Sequence, residues 1–291
     1  MTAHLDMSAA AFAARQQHVR LDGIVDIPVD VAYTDLGQGP PLVLLHGIPT
    51  WSYLYVNVID RLSKHYRVIA PDFLGHGYSD HRDLFDRSLE VQARLVLRLL
   101  DHLGIERAHL VGHDTGGGVA LILAIRHPEV IDRLVLSNIV AYASWPIDDM
   151  LALGNPNWAA KSSTELADFL LEGYREGLSN PERLTPTFAD GIRAPYLSDT
   201  GKVSLIRNAA SLNTNHTTQL IPHHGKITAP TLVLWGVDDP WQTIADGRRL
   251  AGEIPGARLV ELTGTSHWLQ QDNPGAFTGW VLKFLSEPLS E

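Results

Sequence analysis

Residues 108–120 read Ala108-His109-Leu110-Val111-Gly112-His113-Asp114-Thr115-Gly116-Gly117-Gly118-Val119-Ala120, an apolar strand that leads through a glycine-flanked acid into small, helix-compatible residues. Glycines two positions before and after the acid, Gly112 and Gly116, are typical of a strand–turn–helix whose tip residue is strained and whose strand and helix pass closely. The stretch therefore predicts a nucleophile elbow with Asp114 at its tip. The alternative interpretation is that Asp114 only caps the helix that follows.

The side chain at this tip is usually a serine hydroxyl, whereas here it is a carboxylate. A carboxylate needs no base to deprotonate it at neutral pH, and it can attack an sp³ carbon directly. The product of that attack is an alkyl ester on the enzyme, which water must then cleave. This chemistry predicts Asp114 as a nucleophile, and it requires no cofactor.

Apolar runs of strand length recur along the chain and predict one sheet. Alternating segments between Val19 and Asp35 suggest two leading antiparallel strands, and near-continuous apolar runs are typical of parallel strands buried on both faces. The continuous runs are residues 41–46, 67–71, 108–113, 133–137, 231–235 and 258–262, with helical patterns at 53–64, 89–103 and 117–126. This alternation predicts an α/β protein with a mostly parallel, doubly wound sheet, whose active site lies at the carboxyl ends of the strands.

The alternation breaks between residues 140 and 226, a segment with many prolines and only short helical patterns, at 165–173 and 202–212. We interpret residues 140–226 as an inserted helical cap subdomain on a core domain formed by residues 1–139 and 227–291. A cap over the strand ends would exclude water and shape a pocket. The alternative is a second helical layer with no gating role.

Two further loops complete a candidate site. Asp239 follows the predicted strand 231–235, and His267 follows the strand 258–262, so both should lie near Asp114 at the carboxyl edge of the sheet. A histidine there can activate water while the acid fixes its tautomer and stabilises its charged form. The backbone N–H groups of Ile48 and Thr115 are predicted to supply two donors for developing negative charge.

Together these motifs resemble the haloalkane dehalogenase and epoxide hydrolase branch of the α/β-hydrolase superfamily, over nearly the whole chain. The resemblance rests on the elbow, on the loops 46–55 and 72–80, and on His267-Trp268-Leu269-Gln270-Gln271-Asp272-Asn273-Pro274. It implies an α/β-hydrolase fold with Asp114 as nucleophile, His267 as the base that activates the hydrolytic water, and Asp239 as the acidic partner of that base. The loop 46–55, the run after His267 and the stretch 194–199 lean toward the dehalogenases.

Two positions depart from the dehalogenase pattern. Thr115 stands where these enzymes usually carry a tryptophan that holds the halide, and Ile48 stands where an asparagine is often the second halide donor. The hydroxyl of Thr115, or a cap side chain such as Trp145, Trp158 or Tyr196, would then have to hold the halide. Epoxide hydrolases instead use cap tyrosines to protonate the leaving oxygen. The candidates for contact with the substrate are Trp51, Tyr142, Trp145, Trp158, Tyr174 and Tyr196. The resemblance thus implies dehalogenase-like cleavage of a carbon–halogen bond, with epoxide opening as the alternative.

The composition of the chain limits the kinds of partner that it can bind. The chain has 291 residues, a formal net charge of −10 and no cysteine, and no Lys/Arg block that would bind nucleic acid is present. No stretch approaches the ~18 apolar residues of a membrane span, and residues 1–15 predict a short helical leader without the basic start of a signal peptide. We expect a cytoplasmic monomer or homodimer whose partners are a small organic substrate and water.

Other functional classes find less support in the residues. A serine-type esterase or C–C hydrolase is disfavoured because the elbow contains no Gly-x-Ser-x-Gly. A metal hydrolase is disfavoured because the histidines lack helical ligand spacing such as H-E-x-x-H. A non-catalytic binding protein on the same fold remains the outsider, since a fold alone does not establish an activity.

Overall fold

One sheet of eight strands runs through the computed structural model, which describes residues 7–288. The strands are β1 Gln16–Leu21, β2 Val29–Leu36, β3 Pro41–Leu45, β4 Arg67–Pro71, β5 Ala108–Asp114, β6 Ile131–Ile139, β7 Thr231–Gly236 and β8 Arg258–Leu262. Their order in the sheet is β1-β2-β4-β3-β5-β6-β7-β8. The pairs β1–β2 and β2–β4 are antiparallel and all other neighbours are parallel. Both the leading antiparallel strands and the parallel core predicted from the sequence are confirmed.

Twelve α-helices and six 3-10 turns lie within the described residues. The helices are α1 Ala9–Ala13, α2 Ile59–Leu62, α3 Leu89–His102, α4 Thr115–Arg126, α5 Asp148–Leu153, α6 Ser163–Glu176, α7 Pro186–Arg193, α8 Asp199–Ala210, α9 Asn215–Thr218, α10 Ile244–Glu253, α11 Leu269–Asp272 and α12 Pro274–Ser286. The 3-10 turns are Ser52–Tyr55, Pro128–Val130, Pro156–Ala160, Pro181–Arg183, Ala194–Leu197 and Ile221–Lys226. The predicted leader falls on α1, and its residues 1–6 lie outside the described part of the chain.

The central strands bury both of their faces, which explains why their sequences are continuously apolar. In β5, Leu110 belongs to the core under α3 and α4, whereas the next residue, Val111, belongs to the core under α2 and α12. Leu134 and Val135 alternate in the same way in β6. The doubly wound arrangement fixes the carboxyl ends of β3, β5, β6 and β7 side by side, and this is where the site lies.

The helix predicted at residues 53–64 is wrong in extent. The structure has the 3-10 turn Ser52–Tyr55 followed by the four-residue α2 instead. Tyr53, Tyr55 and Val56 are fully or almost fully buried there, and the Tyr55 hydroxyl donates to the Leu45 carbonyl at 2.8 Å. Aromatic and β-branched residues favour a helix weakly, so tertiary contacts decide the backbone.

Residues 140–226, all of them described, contain α5 to α9 and no strand. The segment leaves the sheet after β6 and returns at β7, so it is inserted between two neighbouring strands. Its entry and exit are joined by the indole N–H of Trp145, which donates to Thr217 Oγ1 at 2.8 Å. Whether the segment acts as a separate cap subdomain stays a prediction. Among the described residues, no helix combines the length and the hydropathy that a bilayer span requires.

Candidate active site

The turn between β5 and α4 holds Asp114 in a backbone conformation that side chains seldom adopt, with φ 51° and ψ −125°. A Cβ at Gly112 would lie 2.7 Å from the Cα of Gly117, and a Cβ at Gly116 would lie 2.3 Å from the Leu45 carbonyl oxygen. Both glycines are therefore required for the close passage of strand and helix. Asp114 makes no side-chain capping hydrogen bond, which argues against the capping interpretation.

Replacing Gly116 with alanine should destabilise the fold. The new methyl group would meet the backbone oxygens of Leu45 and His46 at 2.3 and 2.4 Å, so β3 and α4 would have to separate, at a cost of roughly 1–3 kcal/mol. Urea unfolding measures the difference. Gly252→Ala in α10 is the matched control, because a Cβ there has no neighbour within 4 Å. An equal effect of the two substitutions would contradict the packing argument.

The carboxylate of Asp114 is held by donors from two loops. The Ile48 N–H donates to Asp114 Oδ1 at 2.8 Å, and the N–H and hydroxyl of Thr115 also stabilise the ionised form. Gly47 must lack a side chain, because a Cβ there would lie 2.2 Å from the same oxygen. The Ile48 loop is anchored by the buried Asp72, which accepts a hydrogen bond from the Ser52 N–H at 2.9 Å. Both predicted backbone donors thus hold the Asp114 carboxylate, and the Ile48 N–H does so at Oδ1.

The other oxygen of Asp114 faces the predicted base. His267 Nε2 lies 3.9 Å from Asp114 Oδ2, and His267 Nδ1 lies 2.8 Å from Asp239 Oδ2. All three side chains are more than nine-tenths buried. The three residues predicted as a triad are therefore brought together at the carboxyl ends of β5, β7 and β8. The contact with Asp239 places the imidazole so that Nε2 points toward Asp114.

Asp239 is itself fixed by a residue that the sequence analysis missed. Asn138 Nδ2 donates to Asp239 Oδ2 at 2.6 Å, and Asn138 Oδ1 accepts from the Gly236 N–H at 2.8 Å. The N–H groups of Trp241 and Gln242 donate to Asp239 Oδ1 at 2.8 and 3.0 Å. The signal in the sequence was an amide side chain at the end of β6, next to the strand that carries the acid.

Burial and neighbouring charges shift the pKa values of Asp114 and His267 in opposite directions. Burial raises the pKa of Asp114 above its ordinary value, although His267 and the N–H of Thr115 pull it down. Burial alone would lower the pKa of His267, but the carboxylate of Asp239, its hydrogen bond and the charge of Asp114 outweigh it and raise that pKa. In the free protein the imidazole of His267 is thus protonated more readily than an ordinary imidazole.

Asp239→Asn should slow turnover and move its pH profile. Without the charge of Asp239, burial should lower the pKa of His267, which now lies above 6.5, and the neutral base would persist to lower pH. The acid limb of kcat should therefore move toward lower pH, while the plateau falls by up to about 10⁴-fold because the imidazole loses its orienting partner. Rates measured between pH 5 and 9 test this, and a limb that moves toward higher pH would contradict it.

A cavity lies over these groups, between the strand ends and the helical segment. Its volume, counted as space for the centre of a water molecule, is about 40 Å³; one water occupies roughly 10–15 Å³ on this measure. The lining consists of Ile48, Pro49, Asp114, Thr115, Val140, Trp145, Pro146, Ile147, Asp149, Met150, Phe169, Leu170, Gly173, Tyr174, Leu212, Trp241, Gln242, His267 and Trp268. The site therefore suits a small, largely apolar molecule in contact with the Asp114 carboxylate.

Of the six aromatic residues predicted to contact substrate, Trp145 and Tyr174 line this cavity. The hydroxyl of Tyr142 donates to Glu253 at 2.8 Å, and that of Tyr196 donates to the Thr50 carbonyl at 3.2 Å. The remaining two, Trp51 and Trp158, donate to the carbonyls of Gly191 and Ala152, each at 3.0 Å. For Trp51, Tyr142, Trp158 and Tyr196 the structure therefore shows structural contacts outside the cavity and does not support the predicted contact.

Trp241 is one of three aromatic side chains, with Phe169 and Trp268, that line the cavity and were not among the predicted contacts. Its ring packs edge-on against the His267 ring, with 5.0 Å between the ring centroids, and it lines the cavity. The residue follows Asp239 by two positions, in the turn after β7 and outside the predicted cap segment 140–226. Within residues 7–288 no three His, Cys, Asp or Glu side chains are placed to hold a metal ion.

Comparisons with known proteins agree with this architecture. The alpha/beta hydrolase fold family matches residues 40–274. Haloalkane dehalogenase 2 of Mycobacterium tuberculosis (strain ATCC 25618 / H37Rv) is 28% identical, over 87% of this chain and 90% of that protein. The 2-hydroxy-6-oxo-6-phenylhexa-2,4-dienoate hydrolase of Comamonas testosteroni is 30% identical, over 88% of this chain and 91% of that protein. The crystal structure of an alpha/beta hydrolase fold protein from Burkholderia ambifaria superposes with a TM-score of 0.84 at 27% identity, covering 92% of this chain and 97% of that one.

Proposed function

This chain belongs to the α/β-hydrolase fold family, and from that premise we propose that it is a hydrolase that works through an alkyl ester on Asp114. In the first step Asp114 Oδ2 attacks a saturated carbon of the substrate and expels the leaving group. In the second step His267 takes a proton from water, the resulting hydroxide attacks Cγ of Asp114, and the ester C–O bond breaks to release an alcohol. We propose a halide as the leaving group.

One observation carries this proposal: the two oxygens of Asp114 have different surroundings. Oδ1 accepts the Ile48 N–H at 2.8 Å, whereas Oδ2 lies 3.9 Å from His267 Nε2. The Ile48 N–H on Oδ1 is placed to stabilise the oxyanion that forms when hydroxide attacks Cγ, which is an intermediate on the enzyme's own side chain. Oδ2 is left to attack the substrate, and His267 stands beside the ester that results.

The dienoate hydrolase among the relatives suggests a different reaction, cleavage of a carbon–carbon bond in a carboxylate. Two features of this chain oppose it. A carboxylate that attacks a carbonyl carbon would form a mixed anhydride, whereas attack on a saturated carbon gives a stable ester. Moreover, none of the described residues that line the cavity is a Lys or Arg, so a carboxylate substrate would be buried without a permanent cation as partner, at high cost.

A departing halide needs donors, and the cavity offers a candidate in Trp241. The indole N–H of Trp145 is used by Thr217 at 2.8 Å, and that of Trp268 is used by the Tyr174 carbonyl at 3.0 Å. The indole of Trp241 has no hydrogen bond to any of residues 7–288. The indole N–H is therefore free to donate to a halide. It would replace the side-chain N–H donors of the tryptophan and asparagine that dehalogenases usually carry at the positions of Thr115 and Ile48.

Epoxide opening is the second candidate, because of Tyr174. Its side chain lines the cavity and its buried hydroxyl has no hydrogen-bond partner among the described residues. Burial, with Asp272 and Tyr53 as lesser causes, raises the pKa of Tyr174, so the hydroxyl keeps its proton and could give it to an alkoxide. However, the hydroxyl lies near Asp272 and Tyr53, and neither of these two residues is in the cavity lining. This placement favours a halide over an epoxide oxygen as the leaving group.

A panel of short bromoalkanes and short epoxides, scored for halide release and diol formation in parallel, tests the assignment. We expect halide release to dominate, and Trp241→Phe to lower it by about 10²-fold because one donor to the leaving group is lost. Tyr174→Phe should lower halide release much less. Diol formation as the faster reaction, abolished by Tyr174→Phe and insensitive to Trp241→Phe, would replace the dehalogenase assignment with epoxide hydrolysis.

A further inference from the structure

The cavity above Asp114 meets the surface between α5 and α6. A shallow groove on the outside of α6 shares three lining residues with the inner cavity, namely Asp149, Phe169 and Gly173. All three are partly exposed, unlike Asp114 and His267 at the bottom of the cavity. The shared residues therefore mark a mouth through which a small molecule can pass from solvent to the reacting carboxylate.

The charge at this mouth is negative. Besides Asp149, the outer groove carries Glu172, Arg175 and Glu176. Among the described residues that line this groove, Arg175 is the single cation, and its guanidinium forms an ion pair with Glu172 Oε1 at 2.8 Å. Asp149 forms no ion pair with any of residues 7–288. None of the described residues that line the inner cavity is a Lys or Arg, so an anion that entered would pass Asp149 and meet no permanently charged cation beyond it.

We propose that Asp149 determines substrate specificity by excluding anions, so that the site takes neutral halogenated molecules and rejects halogenated carboxylates of the same size. This inference rests on the proposed function for its substrate class. The physical basis is the Coulomb repulsion between two like charges within several ångströms of each other, in a passage whose apolar walls screen less than water does.

Gly173 sets the width of the same mouth. A Cβ built at Gly173 would have a single neighbour within 4 Å, Asp149 Oδ2 at 3.7 Å, which is an ordinary contact. The position lies in the interior of α6, where residues with a side chain are better helix formers than glycine. Gly173→Leu should therefore fold and narrow the passage without regard to the charge of the substrate.

The test compares 3-bromopropan-1-ol with 3-bromopropanoate, two substrates of similar size that differ in charge. Asp149→Asn should raise the ratio of kcat/KM for the anionic to the neutral substrate by about 5- to 10-fold, and less at high salt. The matched control is Asp148→Asn, which removes the exposed neighbouring carboxylate that lines neither concavity. Gly173→Leu should lower kcat/KM for both substrates together. An equal change of the ratio in the two aspartate variants, or none in Asp149→Asn, would overturn the proposal.

A second measurement does not depend on catalysis. The cavity lining includes three of the seven tryptophans of the chain, Trp145, Trp241 and Trp268, so a change in quenching between a variant and the wild type reports what enters. In Asp149→Asn, quenching by iodide should increase about twofold relative to quenching by neutral acrylamide, and Asp148→Asn should leave that ratio as in the wild type. If this result holds but no bromide is released from either substrate, the proposed function fails and the exclusion of anions stands. If bromide is released but neither ratio responds to Asp149→Asn, the exclusion fails and the proposed function stands.

Discussion

Asp114→Asn should abolish turnover, with kcat reduced by at least about 10⁴-fold. The amide cannot form an ester with the substrate, so the first step of the reaction is blocked completely. Asparagine is the suitable replacement because it tolerates the positive φ of 51° at this position better than most residues do. Halide release and product formation measured over several hours would set the limit on residual activity.

The same variant should be at least as stable as the wild type. Burial raises the pKa of Asp114, so the ionised carboxylate costs free energy in the folded state, and a neutral amide removes that cost. If Asp114 served only the structure of the turn, Asp114→Asn would lower the melting temperature and leave activity in proportion to the folded protein. An inactive variant with an unchanged or higher melting temperature is the expected pattern; a fully active one would end the ester mechanism.

The arrangement of the sheet could be predicted because its causes are local in sequence. Continuous apolar runs report strands buried on both faces, and the eight predicted strands appear within a few residues of their predicted limits. Likewise, the position of Asp114, Asp239 and His267 followed from one rule, that parallel strands end at the same edge. The glycines around Asp114 added a steric reason that the structure bears out at Gly112 and Gly116.

The side chains of residues 140–226 could not be predicted in the same way, because their neighbours are distant in sequence. Tyr142 appeared available for a substrate, yet its hydroxyl is bound to Glu253, 111 positions away. Trp158 instead packs on Phe169 with 4.9 Å between the ring centroids. The placement of Trp241 depends on the turn after β7 and on the contact with His267. The pattern of apolar residues along the sequence predicts neither the turn nor the contact.

His267→Gln should stop the reaction halfway. The first step needs only the carboxylate of Asp114, so the ester should still form; the second step needs a base, and the glutamine amide cannot accept the proton of water. Intact-protein mass spectrometry after incubation with a bromoalkane should show one alkyl group per chain, and digestion should place it on Asp114. Steady-state turnover should fall by about 10⁴-fold or more.

The alkylated His267→Gln variant also separates two explanations for lost turnover, a block at the second step and a loss of the folded cavity. His267 is packed between the rings of His113, Trp241 and Trp268, with centroids 4.4 to 5.0 Å away, so a substitution could disturb the cavity. A stoichiometric adduct shows that the cavity still binds and orients the substrate. Running the wild type in H₂¹⁸O for a single turnover should then place ¹⁸O in Asp114, because labelled hydroxide attacks Cγ and the alkyl group leaves with the original ester oxygen, Oδ2. Label confined to the product alcohol, together with a folded but adduct-free His267→Gln, would mean that water attacks the substrate directly and that Asp114 is not the nucleophile.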